Sequence, residues 1–183
     1  AVVMGEGEAA LVALVEAHAA DAWDGLAETR VPGLQVLVDD KVHSTANHRN
    51  RALDALPGPV WDGQLLPMDF TPVLAARGCV TKCSFCSEQT VSPKFAQRSV
   101  ESVVAEMEAH VAATGQQCFE FNDDLLNGNV RWLEAFCEAL SERGAPFRWQ
   151  GLCRPHKMTR ELLQTMRDAG CQQITYGVQH FSD

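Results

Sequence analysis

The sequence lacks a long apolar run, a leader segment and a concentration of positive charge. No stretch is apolar over the about 20 residues that a membrane-spanning helix needs, and no charged-then-apolar leader opens the chain. Only 15 of the 183 residues are Lys or Arg, against 24 Asp or Glu, and the net charge is −9. Proteins that bind phosphate backbones usually carry a basic patch, whereas these basic residues are scattered. The sequence therefore predicts a cytoplasmic protein without a membrane span and disfavours a nucleic-acid partner.

The seven cysteines are an odd number, and no secretory signature accompanies them, so they do not indicate a disulfide framework. Three of them lie close together in the sequence RGCVTKCSFCSE, as Cys79-x-x-x-Cys83-x-x-Cys86. Three thiolates from one loop can hold a cubane iron-sulfur cluster of four irons and leave one iron open. An open metal position can bind a small molecule. The triad therefore predicts a 4Fe-4S site with a vacant coordination position.

Two other uses of the triad stay open. A zinc-binding module without catalytic activity would need a fourth Cys or His at a regular spacing. His43, His48 and Cys118 are the nearest candidates, and none of them forms a paired motif with the triad. A cluster that only transfers electrons would need a fourth protein ligand and would be indifferent to small molecules.

The triad and the aromatic residue before its last cysteine, Phe85, resemble the signature of the radical S-adenosylmethionine (radical SAM) enzymes. The resemblance covers nearly the whole chain. It implies that Cys79, Cys83 and Cys86 bind a 4Fe-4S cluster, that S-adenosylmethionine chelates the open iron, and that backbone around Phe85 lies against the adenine. It also implies reductive cleavage to a 5'-deoxyadenosyl radical, with an external electron donor of the flavodoxin or ferredoxin type and a small-molecule substrate as partners.

Two further phrases resemble one branch of this superfamily. VVMGEGEAAL is similar to the close of a cobalamin-binding domain, and LPGPVWD is typical of the stretch that precedes the radical domain in that branch. The resemblance implies cobalamin as a further cofactor, although no Asp-x-His-x-x-Gly motif for its lower ligand occurs. It also implies a reaction of the branch: methyl transfer, or rearrangement or cyclisation of a small molecule.

We expect the chain to be a fragment that combines parts of two domains. Residues 1–27 would be the C-terminal remnant of a cobalamin-binding-like α/β domain, including a helix with Leu11, Leu14 and Val15 on its apolar face. Residues 28–70 would be a linker, in which a hairpin at Asp39-Asp40 is plausible. Residues 71–183 would be the N-terminal part of a radical SAM barrel.

From residue 71 onward, the apolar pattern alternates between strand and helix. Strands are predicted over 72–78, 118–122, 147–153 and 173–178. Ser99 and Thr159 are predicted to cap helices, and a third helix begins near Asn129. Repeated strand-helix units make parallel strands joined by crossover helices. The predicted fold class is therefore α/β: a partial (β/α) TIM-like radical SAM barrel of four strand-helix units, preceded by the tail of a Rossmann-like cobalamin-binding domain.

Polar residues follow each predicted strand, where parallel β/α barrels place their active sites. Asp123 or Asp124 is expected to bind the amino group of S-adenosylmethionine, or else to cap the next helix. Arg154 is expected to pair with a carboxylate of cofactor or substrate, or to form a salt bridge at the rim. Gln179 stands where relatives commonly carry Glu and keeps hydrogen-bonding reach to a ribose hydroxyl. The neighbouring His180 is either a proton relay or a surface residue.

Overall fold

The computed structural model describes residues 1–28, 31–46, 49–60, 69–88, 94–144 and 147–179. The chain forms two compact units, Ala1–Arg51 and Ala52–Asp183. Within the described residues, no helix has the length and apolar character to span a bilayer.

The first unit is a small antiparallel sheet with one helix. Strands β1 (Val2–Val3), β2 (Leu34–Val38) and β3 (Lys41–Ser44) lie in that order, and helix α1 spans Glu8–Ala19. The predicted hairpin is confirmed, because β2 pairs with β3 across Asp39 and Asp40. Both aspartates have positive φ, at 49° and 57°. Positive φ at both central residues matches the right-handed twist of the two strands.

Helix α1 buries a different face from the predicted one. Ala10 and Ala17 are its buried residues, and they pack in a cluster with Leu34 and Val36 of strand β2. Of the predicted face, Leu14 packs against this cluster, whereas Leu11 and Val15 are 61% and 59% exposed. Small alanine side chains allow close approach of the helix to the sheet, which apolar periodicity alone does not reveal.

The second unit contains a parallel four-stranded sheet. It begins with β4 (Thr71–Val73), which is followed by a short antiparallel pair, β5 (Ala76–Arg77) and β6 (Ala96–Gln97). Strands β7 (Cys118–Phe121), β8 (Arg148–Cys153) and β9 (Cys171–Tyr176) complete the sheet in the order β4-β7-β8-β9. Each strand pairs in parallel with the next. The carboxyl ends of all four strands therefore lie at one edge of the sheet.

Three helices connect these strands, and each begins at a side-chain cap. Helices α2 (Val100–Thr114), α3 (Val130–Arg143) and α4 (Arg160–Asp168) are capped by Ser99, Asn129 and Thr159. In each, the side-chain oxygen accepts the backbone N–H three residues further on. Such caps stabilise a helix by about 1 kcal/mol each. The two predicted caps are confirmed, and the cap of α3 is Asn129 and not Asp123 or Asp124.

One hydrophobic core lies between the sheet and these helices. The Phe136 ring of α3 packs edge-on against Phe121 and Trp149, with ring centroids 5.3 Å and 5.6 Å apart. Phe136 and Trp149 are fully buried, and burying an aromatic side chain contributes about 1.5–3 kcal/mol. The Trp149 indole also donates to the carbonyl oxygen of Ala169 at 2.9 Å, which fixes the end of α4 on the sheet.

The first strand of the sheet is shorter than the predicted 72–78. Only Thr71–Val73 pairs with β7, and the chain then turns so that Ala76–Arg77 pairs with β6. The cause is a buried carboxylate: the N–H groups of Ala75 and Ala76 both donate to Asp123. A side chain therefore replaces the ladder at the point where the chain leaves the sheet for the cysteine loop.

Candidate active site

A cleft of about 270 Å³ opens at the carboxyl ends of the strands. The cysteine loop forms part of its wall, and the segments that follow β7, β8 and β9 form the rest. Of the predicted site residues, it brings together the three cysteines and four others: Cys79, Cys83, Cys86, Phe85, Asp124, Arg154 and Gln179. Asp123 is not among the residues that line it.

The loop that carries the cysteines begins at Gly78, whose φ of 74° lies in the left-handed region. A left-handed residue reverses the chain directly after β5, and glycine adopts that conformation without steric cost. The loop then closes through a backbone hydrogen bond from Cys86 N–H to the Cys83 carbonyl oxygen at 3.2 Å. The last two cysteines are therefore held on one tight turn.

Hydrogen-bonding groups surround the three sulfur atoms. The Thr81 hydroxyl lies 2.9 Å from Cys79 Sγ, and the Cys83 thiol donates to the same hydroxyl at 3.6 Å. The Glu88 N–H donates to Cys86 Sγ at 3.5 Å. Each of the three sulfur atoms therefore has a polar neighbour within the loop.

The donor set fits an iron-sulfur cluster. In the parts of the chain that the structure describes, no three His, Cys, Asp or Glu side chains are grouped to hold a single metal ion. A cubane cluster makes a different demand, because each cysteine binds a different iron. Three thiols on the wall of one cleft, each with a polar neighbour, are suitable ligands for such a cluster.

Arg154 directly follows strand β8, and its side chain contacts the cysteine loop. Its guanidinium Nη2 donates to Cys83 Sγ at 3.0 Å. This contact spans 71 residues of sequence, so the parallel sheet is what brings the two groups together. A cation beside a thiolate lowers the energy of the negative charge on sulfur.

The two neighbouring aspartates differ in position. Asp124 lines the cleft, whereas Asp123 is 4% exposed and accepts hydrogen bonds from the backbone of Ala75 and Ala76. Burial raises the pKa of Asp123 to about 7; the two N–H donors oppose this shift, and the nearby charge of Asp124 adds to it. Asp123 thus anchors the entry to the cysteine loop.

The sequence analysis did not single out Asn127 as a site residue. The Asn127 side chain is buried, at 5% exposure, and it contacts the backbone of Arg154 on both sides of that residue. The signal available in the sequence was an amide side chain that follows two leucines and precedes a glycine, in LLNGN. Buried amides are normally paired, so such a residue implies a specific partner.

The remaining cysteines are of a different kind. Cys153 lines the cleft but is only 1% exposed, and burial raises the pKa of its thiol to about 12. Burial also raises the pKa of Cys137 to about 12 and that of Cys171 to about 11. These three thiols stay protonated near neutral pH. Two histidines considered in the sequence, His48 and His180, lie outside the described residues.

Comparison with known proteins now identifies the class of protein. Residues 73–183 match the family model of the Radical SAM superfamily. The chain belongs to this superfamily, as its cysteine motif predicted. Membership implies a 4Fe-4S cluster and S-adenosylmethionine as cofactors, in agreement with the donor set of the cleft.

Two curated relatives show the branch to which the chain is similar. The anaerobic magnesium-protoporphyrin IX monomethyl ester cyclase of Cereibacter sphaeroides is 34% identical over 97% of this chain and 31% of its own length. An uncharacterized methyltransferase of Pyrococcus horikoshii is 29% identical over 100% of this chain and 40% of its own length. The chain thus spans 31% to 40% of the length of these relatives.

A solved structure confirms the predicted fold class. The radical S-adenosylmethionine methyltransferase TsrM of Kitasatospora setae, with tryptophan substrate and a SAM analog bound, superposes with a TM-score of 0.77 at 21% identity. The match covers 98% of this chain and 37% of that one. A second structure of the same methyltransferase holds cobalamin and a 4Fe-4S cluster and gives a TM-score of 0.74.

Proposed function

We propose that this chain carries the cluster site and the cofactor-binding cleft of a radical SAM enzyme. Cys79, Cys83 and Cys86 are the proposed cluster ligands. The observation that carries the proposal is that these three thiols share one cleft with Asp124 and Arg154, although the five residues come from three separate segments. When bound, the cluster and S-adenosylmethionine supply a one-electron cleavage that yields methionine and a 5'-deoxyadenosyl radical.

In this proposal, different cleft residues bind different parts of S-adenosylmethionine. Asp124 binds the amino group, because a carboxylate forms charge-assisted hydrogen bonds with an ammonium. Gln179 reaches a ribose hydroxyl as donor or acceptor. The loop backbone at Phe85, a residue that is 68% exposed and lines the cleft, lies against the adenine. Arg154 is the cation of the site and is positioned at Cys83.

We further propose that the whole protein catalyses methyl transfer or ring formation on a small molecule. The support is that the two relatives described above are a cyclase and a methyltransferase. The solved methyltransferase that holds cobalamin has the same fold over this chain, which supports cobalamin as a further cofactor. The acidic net charge of −9 argues against a nucleic-acid substrate.

The electron for this chemistry would come from an external protein of the flavodoxin or ferredoxin type. None of the seven cysteines is in a disulfide, and free thiols suit the reducing cytoplasm in which such donors operate. We therefore place the enzyme in that compartment.

Product analysis tests this function. The whole protein is reconstituted anaerobically with iron and sulfide, reduced, and incubated with S-adenosylmethionine, and the products are separated by chromatography with mass detection. We expect 5'-deoxyadenosine and methionine, and no product from Cys83→Ala. Bound zinc in place of iron would support the non-catalytic module instead. An intact cluster that leaves S-adenosylmethionine unchanged and does not bind it would indicate electron transfer.

A further inference from the structure

The peptide backbone at Arg154 is held by one buried side chain. The Asn127 Oδ1 atom accepts the Arg154 N–H at 2.9 Å, and its Nδ2 atom donates to the Arg154 carbonyl oxygen at 2.8 Å. The same Nδ2 lies 3.3 Å from the carbonyl oxygen of His156. Both polar atoms of the amide are therefore used on a single stretch of chain, directly after strand β8.

Packing fixes Asn127 in this place. It belongs to a helical turn, Leu126–Gly128, that closes through a hydrogen bond from Gly128 N–H to the Leu125 carbonyl oxygen at 3.1 Å. Leu126 of this turn lies against Gly151 of β8, where an added Cβ would come within 2.8 Å of the Leu126 side chain. The missing side chain at Gly151 lets the turn sit directly on the strand that leads to Arg154.

Arg154 in turn lies against a proposed cluster ligand, since its Nη2 atom is 3.0 Å from Cys83 Sγ. A long side chain such as Arg has many rotamers, and fixing its backbone at both the N–H and the C=O reduces the number of positions its guanidinium can sample. Hydrogen bonds and positive charge at cluster sulfurs stabilise the reduced, more negative state of the cluster. Residues that orient a ligand's neighbours tune a metal site without touching it.

We propose that Asn127 is a positioning residue that sets the reduction potential of the cluster by holding Arg154 at Cys83. This inference rests on the proposed function, because it requires a cluster on the triad. Asn127 acts through Arg154 in this arrangement, because the hydrogen bonds of its side chain to the described residues go to the backbone of Arg154 and His156. Loss of either residue makes the cluster harder to reduce.

The test is an anaerobic redox titration of the reconstituted whole protein, with the reduced cluster measured by electron paramagnetic resonance. Asn127→Ala and Arg154→Met should each move the midpoint to a more negative potential, so that the reduced fraction near the wild-type midpoint falls by roughly threefold or more. Adding Asn127→Ala to Arg154→Met should give no further shift. Arg154→Lys should restore part of the potential, because it keeps the charge.

Asn129→Ala is the matched control. It removes the cap of α3 two residues away, so it lowers stability without touching Arg154 and should leave the potential unchanged. The proposal is overturned if Asn127→Ala keeps its cluster at the wild-type potential, or if its shift is undiminished beside Arg154→Met. If Asn127→Ala assembles no cluster, the midpoint potential of Arg154→Met provides the test. An unchanged potential in Arg154→Met would contradict the proposal. A wild-type protein without a cubane signal would instead refute the function itself.

Discussion

At the scale of single residues, the surroundings of each thiol separate the triad from the other cysteines. Cys79, Cys83 and Cys86 have hydroxyl, guanidinium or amide groups at sulfur and face a cleft. Cys137 and Cys153 are buried at or below 1% exposure, with pKa values raised to about 12 by burial. A cysteine binds metal as the thiolate, and burial opposes the loss of the proton from Cys137 and Cys153.

This difference predicts the outcome of cysteine substitutions. Replacing any one of Cys79, Cys83 or Cys86 by Ala should reduce cluster iron to near zero after anaerobic reconstitution, because three ligands are the minimum for this type of site. Cys118→Ala is the matched control and should retain the wild-type iron content. Iron assay and the visible absorption of the cluster measure the result. Full iron content in all three triad variants would exclude the assigned ligands.

Substitution of Asp124 tests its proposed role in binding S-adenosylmethionine. Asp124→Asn removes the charge that pairs with the amino group of S-adenosylmethionine and should weaken its binding about tenfold or more, since charge-assisted hydrogen bonds contribute about 1.5–3 kcal/mol. Cluster iron should stay unchanged. Asp168→Asn, on the exposed surface of α4, is the control. Equilibrium binding of S-adenosylmethionine to the reconstituted protein gives the comparison, and equal affinity in all forms would remove Asp124 from the site.

The buried carboxyl of Asp123 predicts a pH-dependent stability. Burial raises its folded pKa from 3.8 to about 7, so its contribution to stability is complete below the unfolded pKa and is lost as pH rises through the folded pKa. The stability of the wild type relative to Asp123→Asn should therefore decrease between about pH 4 and about pH 8, by on the order of 4 kcal/mol. Urea unfolding of the cluster-free protein at several pH values measures it. A difference that does not vary with pH would contradict the raised pKa.

At the same scale, the sequence was sufficient for some site residues and insufficient for others. The triad and the polar strand exits at Asp124, Arg154 and Gln179 follow from local pattern and from the rule that places active sites at strand ends. The different positions of Asp123 and Asp124 cannot be predicted in this way. They depend on which carboxylate accepts the N–H of Ala75, which is 48 residues away. Asn127 was missed for the same reason: its partner is 27 residues further along the chain.

At the scale of elements, the sequence predicted features that depend on neighbouring residues better than features that depend on distant ones. The caps at Ser99 and Thr159 were predicted because a capping side chain acts within three residues of itself. The early end of β4 was not predicted, since a distant carboxylate causes it. In α1, the buried face was assigned wrongly because apolar periodicity does not distinguish a face that packs through alanine from one that is exposed.

The end of α4 offers a sharp prediction about backbone. Gly170 has a φ of 93°, and a Cβ there would collide with the carbonyl oxygen of Phe147. Gly170→Ala should therefore destabilise the protein by roughly 3 kcal/mol or more, from left-handed strain and from the clash with backbone. Gly115 also has positive φ, at 75°, but its Cβ would meet nothing within 4 Å. Gly115→Ala should cost only about 1 kcal/mol.

Unfolding of both glycine variants by urea gives the comparison, with the free energy of unfolding taken from each curve. Equal losses at the two positions would show that strain alone matters and that the contact between the end of α4 and Phe147 is not as close as the structure has it.

At the scale of the whole molecule, the parallel sheet explains how distant segments form one site. Neighbouring strands β4, β7, β8 and β9 follow chain order, so their carboxyl ends bring the cysteine loop, Asp124, Arg154 and Gln179 to one cleft. The sequence predicted this arrangement because alternating strands and helices leave few topologies open. The chain spans 31% of the cyclase and 40% of the methyltransferase to which it is similar.

The most direct test of the central claim uses the reduced whole protein, with electron paramagnetic resonance spectra recorded before and after addition of S-adenosylmethionine. An open iron on a triad-bound cluster predicts a cubane signal whose g values shift on addition, because the cofactor binds that iron. A cubane signal that does not shift would contradict the open site and indicate an electron-transfer cluster. Bound zinc without any cluster signal would contradict the radical SAM function altogether.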